Sequence, residues 1–342
     1  MSLRSKTVNY YLGNFDECFC GYSNDENIRK KAASGGMVTQ LVTYLLENDY
    51  IDGALLSRLD IENGEFIPKS FIAKTVEEAK SCQSSIYIDF PLAKAFREVK
   101  RFEGRLAVVA LPCQLKMIDK LTNADKFIKI GLFCGHNSKK DLIEQVLKNK
   151  VDLREIESFC FRRGHWRGYG HMRLKSKEII RFPYLDFGVF QNIFFHMPEK
   201  CLYCTDHTAE TSDISFGDLW LKEFKKEEMK HSCIISRKRK FTNILYEMKE
   251  KQVVTINELA LEEMVKAQKR PLIYHKFTTS ALKKIKLGSS EEYDFNWNDY
   301  IAALLILSNM NIAEKKISRL IYRLPKKLIF LYMVFVRIFL SF

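Results

Sequence analysis

The sequence predicts an α/β fold: a mixed, partly parallel sheet with flanking helices and a helical C-terminal tail. Three observations predict it. Short apolar runs alternate with segments of helical periodicity, two apolar runs flank a polar turn as in a hairpin, and an apolar segment rich in basic residues closes the chain. With 342 residues, 46% of them hydrophobic, the chain can form a substantial core. We expect three regions, namely residues 1–75, 76–292 and 293–342.

The segment from Ser34 to about Asp49 predicts the first long helix. Its apolar residues recur at helical spacing, and serine is a frequent helix cap. Gly35 and Gly36 would leave the amides of the first turn uncovered. The apolar residues 54–56 then predict a buried strand.

Two apolar runs in the middle of the chain each lead into a cysteine. Residues 106–111 precede Cys113 and residues 127–133 precede Cys134, with helical spacing between the two runs. A strand, helix, strand unit is expected to be parallel with a right-handed crossover, so both strands end at the same sheet edge. Cys113 and Cys134 should therefore be neighbours at an edge where α/β sheets tend to hold ligands.

These two cysteines and the pair Cys201 and Cys204 are the strongest chemical signal. Four thiolates with one Cys-x-x-Cys step can enclose a soft metal centre, and the spacing favours an iron–sulfur cluster over structural zinc, which usually combines two such steps. Unrelated buried thiols are the third interpretation, because burial is the common fate of free cysteine.

The other five of the nine cysteines are predicted to be small buried side chains: Cys18, Cys20, Cys82, Cys160 and Cys233. No secretory signal opens the sequence, so we expect a cytoplasmic, reducing environment in which disulfides do not form.

Further elements are predicted downstream. Residues 172–174 and 179–182 indicate a hairpin, and residues 213–218 indicate a strand entering a turn. Residues 139–150 and 242–251 have helical spacing.

Five motifs in this order resemble the coenzyme F-420 hydrogenase/dehydrogenase beta-subunit family. The resemblance extends from about Cys20 to Ser236. The five motifs are Lys31-Ala-Ala-Ser-Gly-Gly-Met37, Leu111-Pro-Cys-Gln114, Gly131-Leu-Phe-Cys134, Cys201-Leu-Tyr-Cys204 and Ser212-Asp-Ile-Ser-Phe-Gly-Asp-Leu-Trp220.

The resemblance implies an oxidoreductase that passes electrons between a ferredoxin-like donor, one 4Fe-4S cluster, FAD and an organic small-molecule substrate. It implies that Cys113, Cys134, Cys201 and Cys204 bind the cluster. It also implies that the segment Ser34, Gly35 and Gly36 lies against the flavin. Residues 1–75 would then be a flavin-side region and residues 76–292 the catalytic domain.

Five further residues are candidates for the site, and each of them also has a purely structural interpretation. Arg162 and Arg163 suit the FAD diphosphate through forked hydrogen bonds, and Asp218 could anchor a flavin-side loop. His136 and His165 are the candidate proton donors, although most histidines of this kind are structural.

The sequence also departs from the family. Residues 85–90 replace a segment in which relatives carry a lysine and a glutamine, and only Cys18 and Cys20 stand where many relatives have further cysteine pairs. We therefore expect a single cluster, and the missing lysine and glutamine leave the identity of the substrate open.

Almost half of the net charge of +13 lies in the tail. Residues 301–342 carry seven Lys or Arg and one Glu, a net +6. The apolar residues 328–342 would extend about 22 Å as a helix, too short to span a bilayer. They suit the inner face of a membrane, and packing on the core is the alternative.

No nucleic-acid motif accompanies the charge. Bacterial relatives suggest a role in surface polysaccharide biosynthesis. The competing hypothesis is a zinc-stabilised, membrane-peripheral interaction protein without redox activity.

Overall fold

The computed structural model describes residues 4, 6–120, 126–148, 150–288 and 294–341. Its centre is an eight-stranded sheet in the order β11-β1-β10-β9-β5-β4-β2-β3, and a second sheet has the order β6-β7-β8. The strands are β1 (Glu17–Ser23), β2 (Gly53–Glu62), β3 (Glu65–Ala73), β4 (Leu106–Ala110), β5 (Phe127–Leu132), β6 (Ile156–Arg163), β7 (Tyr169–Leu174), β8 (Ile179–Pro183), β9 (Ile214–Asp218), β10 (Ser232–Ser236) and β11 (Val254–Glu258).

The large sheet is parallel in its middle and antiparallel at both ends. β2, β4, β5 and β9 pair in parallel, whereas β3, β10, β1 and β11 are added antiparallel. The predicted mixed, partly parallel sheet is confirmed. Its central strands are short apolar runs because both faces are covered.

Helices flank the sheet on both faces. α3 and α9 pack on one face, while α5 and α6 cover part of the other. The helices are α1 (Val8–Leu12), α2 (Glu26–Lys31), α3 (Met37–Glu47), α4 (Val76–Ser81), α5 (Ala93–Arg101), α6 (Pro112–Ile118), α7 (Lys140–Lys148), α8 (Leu185–Asn192), α9 (Arg239–Glu250), α10 (Leu261–Ala267), α11 (Lys269–Ile273), α12 (Thr279–Leu287), α13 (Trp297–Glu314), α14 (Ser318–Ile321) and α15 (Lys326–Phe339).

The predicted hairpin is the β7–β8 pair, which β6 extends to three strands. This small sheet shares a core with α7, α8, α12, α13 and α15. Seven phenylalanines of the core come from β6, β8 and the segment around α8: Phe159, Phe161, Phe182, Phe187, Phe190, Phe194 and Phe195. They join the C-terminal helices to the rest of the molecule through apolar contact.

The first long helix begins three residues later than predicted. α3 starts at Met37, and Gly36 is its cap with φ +82°, a left-handed conformation that favours glycine. The Ser34 hydroxyl does not cap the helix and instead donates to the carbonyl oxygen of His231 at 3.0 Å. Gly35 is required by packing, because a Cβ there would lie 2.5 Å from the carbonyl oxygen of Gly21.

The C-terminal tail forms α15, which packs on the core with one of its faces. Ile329, Met333 and Val336 are buried in the core shared with α8 and α13. The opposite face exposes large apolar side chains: Leu328, Leu331, Val334, Phe335 and Ile338. Within the described part of the chain, no helix is both long and apolar enough to cross a membrane.

Candidate metal centre and adjoining site

Four cysteines from three parts of the chain meet beyond the carboxyl ends of the parallel strands. Cys113 lies in the first turn of α6 after β4, and Cys134 follows β5. Cys201 lies in the 3-10 turn Glu199–Tyr203, which Cys204 caps. All six pairs of these thiols act on one another electrostatically. The parallel pairing of β4 and β5 therefore places Cys113 and Cys134 together, as predicted.

Burial opposes ionisation of these thiols. It raises the pKa of Cys201 to about 12 and that of Cys134 well above its usual range, and the neighbouring cysteines add to both shifts. A metal ion reverses this effect because its ligands bind as thiolates and release their protons. Among the residues that the structure describes, no three His, Cys, Asp or Glu side chains are already arranged as a metal-ion site. The thiols are neighbours whose side chains are not in ligating contact.

Two aromatic side chains fix the backbone that carries the cysteines. The His275 ring nitrogens contact the carbonyl oxygens of Cys204 at 2.6 Å and of Cys134 at 2.9 Å. The Tyr274 hydroxyl donates to the carbonyl oxygen of Cys201 at 2.8 Å. Both residues lie in the π-helical turn Tyr274–Thr278, far along the sequence from the cysteines, so sequence reasoning missed them. Polar contacts of this kind orient the groups around a metal site.

A pocket of about 270 Å³ opens from this centre to the surface. Cys113 and Cys204 line its floor, and Lys116, Lys120 and Lys200 line its walls. The approach to the centre is therefore positively charged.

The residues predicted to contact a flavin converge at a second place. Arg162, at the end of β6, is buried and donates twice to the carbonyl oxygen of Ala33, at 3.1 and 2.7 Å. It also forms a short ion pair with Asp218 at the end of β9. Burial opposes the charge of Arg162, but Asp218 outweighs it and raises the pKa. Arg162 thus holds the Ser34–Gly36 loop against β9.

The same loop is attached to the start of β10. Ser34 Oγ donates to the His231 carbonyl oxygen, and the Gly35 amide donates to Ser232 Oγ at 3.0 Å. Lys230 directly precedes these two residues and is buried. Sequence reasoning missed Lys230, whose only signal is its position before an apolar strand.

Arg163 faces away from Arg162, towards a cavity of about 300 Å³. Polar side chains from residues 81–85 line this cavity together with the thiols of Cys82 and Cys160. Cys82 is partly exposed, whereas the other four cysteines predicted as buried are buried. Ser84 Oγ lies 2.9 Å from Cys160 Sγ.

The two candidate proton donors differ in environment. His136 is stacked on Phe194, and its Nε2 contacts the Gln191 carbonyl oxygen at 2.9 Å. Burial lowers the pKa of His136 to about 4, so the ring is neutral at physiological pH. His165 is exposed in the loop between β6 and β7.

One side chain connects the two sites. The Gln268 amide nitrogen donates to the carbonyl oxygen of Asp218, and Gln268 Oε1 lies 3.1 Å from His207 Nε2. The His207 carbonyl oxygen in turn accepts from the Cys134 amide at 2.9 Å. A continuous hydrogen-bonded path thus joins the Arg162–Asp218 pair to the cysteine centre.

Comparison with known proteins agrees with this architecture. Residues 18–97 match the N-terminal part of the family described as "Coenzyme F420 hydrogenase/dehydrogenase, beta subunit", and residues 103–262 match the C-terminal part of the same family. The coenzyme F420 hydrogenase subunit beta of Methanococcus voltae is 24% identical over 218 residues, which cover 61% of this chain and 74% of the relative.

Two further relatives extend the range of named activities. The coenzyme F420-dependent sulfite reductase of Methanocaldococcus jannaschii is 25% identical over 66% of this chain and 36% of its own length. A chain of the F420-reducing NiFe hydrogenase complex from Methanosarcina barkeri has the same fold, with a TM-score of 0.63, 19% identity, and coverage of 83% of this chain and 96% of that one.

The fold and these matches define a class of oxidoreductase subunits. Within that class, the chain belongs to the coenzyme F420 hydrogenase/dehydrogenase beta-subunit family.

Proposed function

We propose that this chain is an iron–sulfur flavoprotein that transfers electrons between a ferredoxin-like donor and an organic substrate. Cys113, Cys134, Cys201 and Cys204 would bind one 4Fe-4S cluster. When bound, the cluster exchanges single electrons and FAD exchanges electron pairs. The protein's residues hold these groups and set their electrostatic surroundings.

One observation carries the proposal. Four thiols from three separate segments are gathered at the carboxyl edge of the parallel strands, where Cys201 is buried and the other three are partly buried. Burial favours the protonated form of these thiols. Four thiols gathered in one place therefore indicate a site for a cation that binds them as thiolates. Soft thiolate sets select iron–sulfur clusters or zinc.

The flavin part rests on the second site. The Ser34–Gly36 loop, Arg162 and Asp218 meet there, and Gln268 links the place to the cysteine centre. Nε and Nη2 of Arg162 are engaged by Ala33 and Asp218, which makes Arg162 an anchor for the loop. Arg163 remains the arginine oriented towards a cavity, where we propose that the organic substrate or part of the FAD binds.

The pocket at Cys113 and Cys204 is the proposed docking place of the electron donor. Lys116 and Lys120 complement a small acidic redox protein, whereas Lys200 already pairs with Asp89 at 2.5 Å. Such charge complementarity chiefly accelerates association. A donor docked there would face two of the four proposed cluster ligands.

Metal analysis of oxygen-free protein tests the cluster. We expect about four iron atoms and matching acid-labile sulfide per chain, with brown colour. Cys204→Ser should lose most of the iron, whereas Cys82→Ser, a control at a thiol outside the centre, should retain it. One zinc ion per chain without iron would contradict the proposal and favour the zinc-stabilised interaction protein.

Membrane attachment is a second proposal, favoured by α15. Its exposed apolar face lies beside the basic residues Arg319, Arg323, Lys326 and Lys327. Each basic side chain near an anionic surface adds about 1 kcal/mol of attraction. We propose that this face rests on the inner leaflet of the membrane, where a lipid-linked polysaccharide precursor would be within reach.

Flotation with anionic liposomes tests this attachment. Leu331→Glu should abolish binding, because Leu331 is 54% exposed on the apolar face of α15. Ile179→Glu is the matched control, since Ile179 is also 54% exposed but lies on β8. Equal flotation of both variants, or a stable dimer in place of liposome binding, would contradict the proposal.

A further inference from the structure

Lys230 carries a buried amine. The residue is 5% exposed, and among the described residues its Nζ has no hydrogen-bond partner. A buried polar group normally has one, so an unpartnered amine indicates a missing counterpart.

The position of Lys230 shows where that counterpart lies. The next two residues, His231 and Ser232, hold the Ser34–Gly35 loop by hydrogen bonds of 3.0 Å. Arg162 holds the same loop from the other side through Ala33. Lys230 therefore belongs to the place where we propose that the flavin binds.

The charged groups that act on Lys230 balance each other. Arg162 and Asp218 neutralise each other as an ion pair. Burial raises the pKa of both Tyr87 and Tyr184, and burial lowers the pKa of His231, so these three groups are neutral at pH 7. Burial, followed by repulsion from Arg162, lowers the pKa of Lys230 to about 6, while Asp218 and Cys160 oppose the shift. Without an anion, the amine is mostly uncharged at pH 7.

We propose that Lys230 supplies the positive charge that balances the reduced flavin ring, taking one proton from solvent when the ring is reduced. This inference rests on the proposed FAD site. Reduction of a bound flavin ring by two electrons and one proton would give the ring one negative charge. A second proton binds Lys230 Nζ, so no net charge is buried. The electrons come from the cluster, or from dithionite in the experiment below.

A single buried charge suits the ring better than the diphosphate. The diphosphate of FAD is doubly charged in every redox state, so it would keep Lys230 permanently protonated. The ring gains a single negative charge on reduction, which one amine can balance, whereas the doubly charged diphosphate would need two.

The midpoint potential of bound FAD as a function of pH is the decisive measurement. A tenfold change in proton concentration shifts a two-electron couple by about 30 mV for each proton taken up. We expect the wild type to fall by about 60 mV per pH unit between pH 7 and 9. Lys230→Met should fall by about 30 mV per unit, because only the ring then takes a proton.

Two further variants separate this role from a structural one. Lys230→Arg carries a permanent charge, so its slope should also be about 30 mV per unit, with a higher potential than Lys230→Met at pH 9. Lys225→Met removes the same charge from an exposed position nearby and should behave as the wild type.

Several outcomes would overturn the inference. Equal slopes in the wild type and Lys230→Met would show that Lys230 takes up no proton. A more than tenfold loss of FAD affinity in Lys230→Met, with the slope unchanged, would assign Lys230 to the diphosphate. Wild-type protein that binds no FAD would remove the proposed flavin site, and this inference with it.

Discussion

Burial removes water from a lysine amine, and an amine without a hydrogen-bond partner gains nothing in its place. Among the described residues, Lys230 has such an amine. Its pKa is lowered from 10.5 to about 6, chiefly by burial. Between these two values the unfolded chain binds more protons than the folded one. The free energy of unfolding therefore rises with pH in this window and falls as the solution is acidified.

Lys230→Met should stabilise the flavin-free protein, because methionine keeps the apolar stem and removes the amine. The gain should be greater at pH 7 than at pH 9, by about 2 kcal/mol, since the wild type recovers stability as pH rises. Urea unfolding of both proteins at the two pH values measures the difference. The other titrating groups are the same in both proteins, so their contributions to the difference in unfolding free energy cancel. A gain that is independent of pH would show that Lys230 is charged in the folded state.

Single residues also show what the sequence could reveal about the site. The meeting of Cys113 with Cys134 followed from parallel strand pairing, which brings equivalent strand ends to one edge. The approach of Cys201 and Cys204 depends on how a 3-10 turn is packed against Tyr274, a contact between distant segments. No local pattern encodes such a contact, and His275, Gln268 and Lys230 were missed for the same reason.

At the scale of elements, the central strands were the most predictable. β4, β5 and β9 begin or end within one residue of the expected positions, because buried strands are short apolar runs bounded by turn residues. The start of α3 was wrong because Ser34 resembles a cap, whereas its hydroxyl is used by His231. Tertiary hydrogen bonds decide between such local alternatives.

The start of α13 is fixed by a buried acid. Asp299 accepts from the Asn296 amide at 2.8 Å, and the Asp299 amide donates to Asn296 Oδ1 at 3.1 Å. The Asp299 side chain is fully buried and pairs with Arg4 at 2.5 Å. The helix cap and the ion pair therefore share one carboxylate.

Asp299→Ala should lower the free energy of unfolding by about 3 kcal/mol, because it removes both a helix cap and a buried ion pair. Asp294→Ala is the matched control. Asp294 pairs with Lys6 at 2.8 Å, but both side chains are largely exposed, so its loss should leave the free energy of unfolding close to that of the wild type. Urea denaturation measures both variants, and equal losses would show that burial of the Asp299 pair is unimportant.

At the scale of the whole molecule, α15 has one face in the core and one apolar face exposed at the surface. Its inner face packs with α8 and α13, and its outer face is the proposed membrane contact. The apolar composition of the tail predicted a helix, but composition alone left open whether the core or a membrane covers it. The core covers the inner face of α15, and the apolar outer face is where we propose the membrane contact.

This double role predicts that truncation and surface substitution have different effects. Deleting residues 326–342 should expose the core around Phe190 and Tyr322, which lies beside α15, and lower the melting temperature by several degrees. Leu331→Glu should leave the melting temperature within about one degree of the wild type while abolishing flotation with liposomes, because Leu331 contributes little to the core. Thermal unfolding of the two variants, measured beside the flotation assay, distinguishes the surfaces. A truncated protein as stable as the wild type would show that α15 is not part of the core, and loss of stability in Leu331→Glu would show that its outer face is not free for a membrane.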